Sequence, residues 1–134
     1  MYGALDISTS ALVAQRIRLD VIAANIANQR TILNENDEYE PYRRRTVVFS
    51  EGDPARGRTE GVHVASIEID YGPLNQKYEP GSPFADADGY VSYPNVNSVI
   101  ETMNAMDAAR AYEANITAIE ATKSMLSAAL KIIA

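Results

Sequence analysis

The stretch that decides the fold is residues 95–133, NVNSVIETMNAMDAARAYEANITAIEATKSMLSAALKII. It contains no glycine or proline, and its apolar residues recur at steps of three and four, the spacing of one helix face. Ser98 and Glu101 have the spacing of a capping box, which marks a helix start. We therefore predict a single helix here, on the order of 60 Å long at about 1.5 Å per residue.

A second helix is predicted near the start of the chain, from residue 5 to about residue 29. No glycine or proline occurs from Ala4 through Glu40. Aliphatic residues recur every seven positions, but the intervening heptad positions are mostly polar, whereas a two-stranded coiled coil would fill them with Leu. We expect this helix to pack among several neighbours. The recurring residues are Leu5, Leu12, Leu19 and Ile26.

The middle of the chain, residues 31–94, contains all six prolines and six of the seven glycines. Residues 46–49 favour a strand, and residues 62–71 alternate with one change of phase, which indicates a β-bulge or a short break. The sequence predicts an α+β fold. Its N- and C-terminal helices would pair as an elongated antiparallel coiled-coil-like hairpin, beside a small β and extended middle region. Residues 1–30 with 95–134 would form a helical assembly domain.

Composition and charge exclude several classes of function. The net charge of −6 counts against a nucleic-acid partner, because phosphate binding needs clustered Lys and Arg. The triplet Arg43-Arg44-Arg45 is interpreted as a solvated strand face, since alternate side chains point to opposite faces. There is no cysteine, which excludes disulfides and thiolate sites. No apolar run approaches the ~20 residues of a membrane span, so direct membrane insertion is not expected. The first residues lack a basic segment and a long apolar segment, so we expect no Sec-type signal.

No set of residues indicates catalysis, a cofactor or a metal. His63 is the only histidine and lies in an alternating β run, where a structural role is typical. Asp86 and Asp88 suggest a calcium loop, but position twelve counted from Asp86 is Asn97, which cannot supply the bidentate carboxylate that such loops need. A turn is the better interpretation. We predict no enzyme activity, no cofactor and no metal.

Long apolar stripes on helices of such unequal length favour an association surface over a closed domain core. Periodicity alone therefore favours a self-assembling structural protein. A cytoplasmic coiled-coil adaptor or binding module stays open as an alternative, as does a small enzyme built on the β segment. Sedimentation and circular dichroism separate these classes, because an adaptor would be a helical dimer and a filament subunit a poorly helical monomer.

Both terminal helices contain specific signatures. Residues 10–28, SALVAQRIRLDVIAANIAN, closely resemble the N-terminal signature of the flagellar rod and hook proteins, with Asn25 and Asn28 at its core. Residues 110–119, RAYEANITAI, resemble the C-terminal signature of the same axial family. The chain is therefore identified, by resemblance, as a member of that family.

Two internal stretches narrow the resemblance. Residues 41–49, PYRRRTVVF, and 78–97, YEPGSPFADADGYVSYPNVN, are similar to the corresponding segments of the family's proximal-rod members. The resemblance covers nearly the whole chain and is interrupted mainly at 30–40 and 50–60. The chief departure is an acidic, insertion-like stretch at 34–40, NENDEYE.

The resemblance implies a structural subunit of the bacterial flagellar basal-body (proximal) rod, located in the periplasm. Family members leave the cytoplasm through the flagellar type III export apparatus without a cleaved signal peptide. The implied partners are that apparatus, other flagellar rod proteins and copies of the chain itself in a helical assembly. The terminal helices would form the inner layer of a hollow, torque-transmitting tube, and the middle region would fix the register between subunits.

The assembly interface is therefore expected on the terminal helices. Asn25 and Asn28 would fix helix register through side-chain hydrogen bonds. The substitution Leu19→Asp should abolish incorporation and motility while leaving the free monomer soluble. The predicted interface residues are Leu5, Leu12, Leu19, Ile22, Asn25, Ile26, Asn28, Val99, Met103, Met106, Tyr112, Asn115, Ile116, Ile119, Leu126, Leu130 and Ile133.

Overall fold

The computed structural model describes residues 2–134, in which two long helices flank four strands along the chain. Helix α1 spans Tyr2–Ala27 and helix α2 spans Ser98–Ile133. This order confirms the predicted α+β class with helices at both ends and a small strand region between them. The strands are β1 (Arg45–Asp53), β2 (Arg58–Ile69), β3 (Asn75–Tyr78) and β4 (Tyr90–Tyr93).

The start of α2 is capped by Asn97. Its side-chain Oδ1 accepts the backbone N–H of Val99 at 3.0 Å and that of Ile100 at 3.3 Å. These are two of the donors that a helix start leaves without intrahelical partners. The predicted capping box of Ser98 and Glu101 is therefore wrong, because the carboxylate of Glu101 is used in the polar cluster described below.

Strands β1 and β2 form a two-stranded sheet. A 3-10 turn, Pro54–Arg56, joins them, and so short a connection requires an antiparallel hairpin. Gly52 has a φ of +69°, and a Cβ added there would lie 2.7 Å from the carbonyl oxygen of Arg58. Only glycine fits this close approach at the end of the hairpin.

Strands β3 and β4 form a second, antiparallel sheet. The register pairs Asn75 with Tyr93 and Tyr78 with Tyr90. Val91 is fully buried, whereas all of β3 is exposed. The sheet therefore packs into its unit through β4.

The chain divides into two compact units. The first contains residues 2–20, 47–67 and 106–134; the second contains residues 21–46 and 68–105. Each unit takes residues from both terminal helices and from the middle region. The polar cluster described below lies in the second unit.

In the first unit, Ser10 attaches helix α1 to strand β2. Its Oγ accepts the backbone N–H of Val62 at 3.1 Å and donates to the carbonyl of Ile7 at 2.6 Å. A Cβ added at Gly61 would lie 2.6 Å from the same Oγ. The absence of a side chain at Gly61 therefore permits the helix and the strand to approach each other.

Helix α2 buries one narrow stripe of side chains. Buried and half-buried residues recur at alternating steps of four and three from residue 101 to residue 129, a mean repeat of 3.5 residues. Helix α1 contains a similar repeat from residue 8 to residue 25, but within a broader band, because most side chains from residue 10 to residue 22 are buried or half-buried. The stripe on α2 is mostly small or polar. It comprises Glu101, Ala105, Ala108, Tyr112, Asn115, Ile119, Thr122, Leu126 and Ala129.

Candidate assembly interface

A buried polar cluster in the second unit is centred on Asn25, whose side chain is fully buried. Its Nδ2 donates to the carbonyl of Arg45 at 2.8 Å and to Glu101 Oε2 at 3.2 Å. Its Oδ1 accepts the Tyr42 hydroxyl at 2.9 Å and the Arg45 N–H at 3.0 Å. The amide thereby uses both of its donors and both of its acceptor sites. Asn25 thus joins α1, the start of β1 and the first turn of α2.

Glu101 brings a buried carboxylate into this cluster, with a side chain only 1% exposed. It forms an ion pair with Nε of Arg44, and the Arg44 N–H donates to Asn95 Oδ1 at 2.8 Å. A buried charge is costly unless it is paired and hydrogen-bonded, so these partners depend on one another. We call this cluster the polar clasp; it consists of Asn25, Tyr42, Arg44, Arg45, Asn95 and Glu101.

Burial raises the pKa of the Tyr42 hydroxyl above its usual value of 10.0. The guanidinium of Arg45 acts in the opposite direction, and the nearby carboxylate of Glu101 adds to the increase. The phenol therefore stays protonated near neutral pH, as its donation to Asn25 requires.

The arginine triplet is more constrained than a solvated strand face, and that prediction is wrong. Arg44 is held by Glu101, as described above. Arg43 donates through Nη1 to the carbonyl of Gly72 at 2.9 Å, and its guanidinium lies 5.5 Å from the centre of the Tyr71 ring. The arginine triplet therefore contacts groups of its own subunit instead of presenting three free cations.

Asn28 closes the C-terminal end of α1. Its Nδ2 donates to the carbonyl of Ala24 at 2.9 Å, and its Oδ1 accepts the Thr31 hydroxyl at 3.2 Å. The same Ala24 carbonyl accepts the Asn28 backbone N–H at 3.0 Å, so the side chain adds a second bond in the last turn of the helix. The two signature asparagines thus differ: Asn25 bonds across elements and Asn28 bonds locally.

The predicted interface residues divide into three groups by exposure. Those buried within the subunit are Ile22 and Asn25. Those half-buried are Leu5, Leu12, Leu19, Ile26, Asn28, Tyr112, Asn115, Ile119 and Leu126. Those exposed are Val99, Met103, Met106, Ile116, Leu130 and Ile133.

Three of the exposed residues form a continuous surface on the first turns of α2. Val99 is 66% exposed, Met103 60% and Met106 52%. Each precedes a member of the buried stripe by two residues, which is about 200° around a helix. These turns of α2 therefore have an apolar outer face opposite their buried one. We call Val99, Met103 and Met106 the outer apolar face.

The remaining candidate sites are structural. Among residues 2–134, no three His, Asp or Glu side chains gather as metal ligands would, and none of the described helices has the length and hydropathy to cross a membrane. Asp86 Oδ1 accepts the backbone N–H groups of Asp88 and Tyr90, each at 2.9 Å, which confirms the predicted turn. The His63 ring bonds the carbonyl of Gly52, which ties the two strands of the hairpin together.

Comparison with known proteins agrees with these signatures. Family models described as "Flagella basal body rod protein" and "Flagellar basal body rod FlgEFG protein C-terminal" match residues 5–31 and 87–132. The flagellar basal-body rod protein FlgC of Salmonella typhimurium is 47% identical over 122 residues, covering 90% of this chain and 89% of the relative. The chain belongs to the FlgC family of flagellar basal-body rod proteins.

Other FlgC proteins match over almost their full length. The protein of Borreliella burgdorferi is 39% identical over 99% of this chain and 97% of its own. That of Bacillus subtilis is 38% identical over 98% and 97%. Membership of the FlgC family makes this chain a structural component of the basal-body rod and not an enzyme, as the sequence predicted. Asn25 and Glu101 of the polar clasp lie within the two matched segments.

Proposed function

We propose that the chain is a subunit of the proximal part of the rod, where it packs with copies of itself and with other rod proteins into a hollow tube that transmits torque. The relatives named basal-body rod proteins, at 38–47% identity over most of the chain, support this proposal. The same relationship supports a periplasmic location. It also supports passage through the flagellar export apparatus without a cleaved signal peptide.

The assembly core in this proposal consists of residues 1–30 with 95–134. The buried stripes of α1 and α2 would pair as an antiparallel, coiled-coil-like hairpin. Two observations support this pairing: both stripes repeat every 3.5 residues, and Asn25 of α1 bonds Glu101 of α2. The small residues of the α2 stripe would let the two backbones come close.

The outer apolar face is the observation that carries the proposal. A monomer gains nothing from three large apolar side chains that are 52–66% exposed on one helix. Their burial against a neighbour contributes roughly 25 cal/mol per Å² of apolar surface. When the neighbour uses a different surface for the same contact and the rotation between subunits does not close a ring, a helical assembly grows.

The test is the substitution Met103→Asp, with Ser124→Asp as a matched control at an exposed, polar position of the same helix. Met103→Asp should leave the subunit folded but abolish its incorporation into purified basal bodies and abolish swimming. Ser124→Asp should incorporate normally. Normal rods and normal swimming with Met103→Asp would mean that the outer apolar face is not part of the interface.

A further inference from the structure

A groove of about 510 Å³ lies between helix α1 and strand β2 in the first unit. The residues of its α1 wall recur at steps of four, three and four, so they share one face of the helix. Val13 is 56% exposed within this wall, which leaves an apolar side chain in the groove open to solvent. The wall consists of Asp6, Ser10, Val13 and Ile17.

The second wall of the groove is one face of β2, formed by alternate residues of the strand. The Val62 N–H donates to Ser10 Oγ, and Glu60 Oε2 lies 3.8 Å from a Cβ added at Gly3. Strand β2 therefore runs along α1 in the same direction, with its charged residues beside the start of the helix. This wall consists of Arg58, Glu60, Val62 and Val64.

Charged and apolar surfaces are separated along the groove. Asp6, Arg58 and Glu60 lie at the end beside the first turns of α1, whereas Val13 and Ile17 lie toward the other end. None of the ion pairs and hydrogen bonds among residues 2–134 uses the side chain of any of these three charged residues. Their charges are therefore available to a neighbouring molecule.

The outer apolar face of α2 continues into two charged residues. Arg110 follows Met106 by four positions, and Glu113 follows Arg110 by three, so both lie on the same side of the helix as the outer apolar face. Within the part of the chain that the structure describes, neither side chain has an ion pair or a hydrogen bond. This surface of α2 is thus apolar at its start and charged at its end.

The groove and this surface match when α2 lies antiparallel to the α1 wall. Both use a spacing of four, three and four residues, so four side chains of one helix meet four of the other. Arg110 then lies between the carboxylates of Asp6 and Glu60. Parallel alignment would instead place Arg110 on Ile17, where a cation would lose water without gaining a partner. The opposed pairs are Arg110 with Asp6, Met106 with Ser10, Met103 with Val13 and Val99 with Ile17.

We propose that the outer apolar face of α2 docks antiparallel into the groove between α1 and β2 of a second copy of the chain. This proposal rests on the rod function proposed above and names the surface that the outer apolar face meets. A second copy is the occupant because the chain carries both the groove and a helix that complements it in spacing and in charge.

The charge match extends one turn beyond Arg110. Glu113 would approach Arg58, so each unpaired charge of the groove and of α2 would gain a neighbour of opposite sign. Each copy would offer its helix to one neighbour and its groove to another. Such a contact is heterologous, and it builds a helical assembly when the rotation between copies does not close a ring.

A charge exchange tests the docking. The groove variant, Asp6→Arg with Glu60→Arg, reverses both carboxylates, and the helix variant, Arg110→Glu, reverses their partner. Each variant alone should lower the amount of the chain in purified basal bodies about tenfold, because like charges then oppose each other. The combined variant restores opposite charges and should recover incorporation and swimming. Lys123→Glu, at an exposed position of α2 outside the docked surface, is the matched control and should incorporate normally.

Two results of the charge exchange would overturn the docking. One is normal incorporation of Arg110→Glu, and the other is a combined variant that incorporates no better than its two parents. Absence of the wild-type chain from basal bodies would instead reject the proposed function.

A disulfide trap locates the contact without changing any charge, since the chain has no cysteine. Val13→Cys with Met103→Cys places one thiol on each surface at opposed positions. Oxidation of purified basal bodies that contain this double variant should give a ladder of dimers, trimers and longer species, and either single variant should give none. Val13→Cys with Met125→Cys moves the second thiol to an exposed position further along α2 and should also give none.

Every other product of the trap contradicts the docking. Rods that contain the first double variant but give no ladder would reject the contact and leave the proposed function in place. Dimers formed by Met103→Cys alone would mean that the outer apolar face meets its own copy on a neighbour. A crosslinked product that contains a different rod protein would assign the surface to that protein.

Discussion

At the scale of single residues, some polar side chains of this protein form the backbone hydrogen bonds at a strand edge that a neighbouring strand would otherwise form. The amide of Asn25 pairs with both the N–H and the C=O of Arg45, and the hydroxyl of Tyr39 does the same for Ser92. One polar side chain thus satisfies two backbone groups that would otherwise offer an edge to another chain.

Substitution of Asn25 is expected to destabilise the subunit the most. Asn25→Asp removes both donors and places a second carboxylate beside Glu101, which should lower the free energy of unfolding by about 2–4 kcal/mol. Asn28→Asp is the control, because the Asn28 amide bonds only locally, and should cost no more than about 1 kcal/mol. Tyrosine fluorescence during urea unfolding measures both, since the second unit holds most of the tyrosines. If both variants lost the same free energy of unfolding, the polar clasp would stabilise the subunit no more than the local bonds of Asn28 do.

The clasp also shows how far sequence reasoning extends. Asn25 could be predicted because it lies in a recognisable signature. Local spacing assigns Glu101 to a helix cap, because its partner Asn25 lies 76 positions away and no local pattern reports a contact of that range. Local pattern predicts a solvated Arg44 for the same reason. Long-range polar partners follow from the fold and not from spacing.

At the scale of elements, the two helices could be predicted because uninterrupted runs without glycine or proline define them. Which face of α2 is buried could not be predicted. Hydrophobicity ranks Val99 and Met103 above Ala105 and Ala108 as candidates for burial, yet the structure exposes the first pair. In the assembly proposed above, large apolar residues would serve outer contacts, and small residues would line the seam between the helices.

The α2 stripe should be sensitive to volume. Ala108 is fully buried, so Ala108→Leu should force its neighbours apart and lower the free energy of unfolding by about 1–3 kcal/mol. Ala114→Leu adds the same atoms at an exposed position of α2 and should be nearly neutral. The loss of the helical circular-dichroism signal with increasing urea measures the stability of both variants. An Ala108→Leu subunit as stable as the control would argue against close packing at the seam.

At the scale of the whole molecule, little apolar material is fully buried. Among the described side chains, the buried hydrophobic residues are few and several are small, and the clasp places polar and charged groups inside as well. Such a subunit is expected to be marginally stable by itself and to gain stability from its neighbours. The buried hydrophobic residues are Ala14, Ile22, Val91, Val96 and Ala108.

The purified chain should therefore sediment as a monomer at micromolar concentration. Its helical signal should be lower than helices of 26 and 36 residues would give, and should rise on incorporation into rods. Analytical ultracentrifugation and circular dichroism on the same sample measure both properties. A stable, fully helical dimer would instead be the behaviour of a coiled-coil adaptor.

The 3.5-residue repeat of the α2 stripe has a mechanical consequence. A straight helix has 3.6 residues per turn, so such a stripe drifts by about 20° per heptad and stays against one partner only if the helices wind around each other with a left-handed supercoil. Twist applied in that sense deepens the winding, and twist in the opposite sense loosens it. A rod built on such seams is expected to behave as a chiral spring, stiffer for one direction of rotation than for the other.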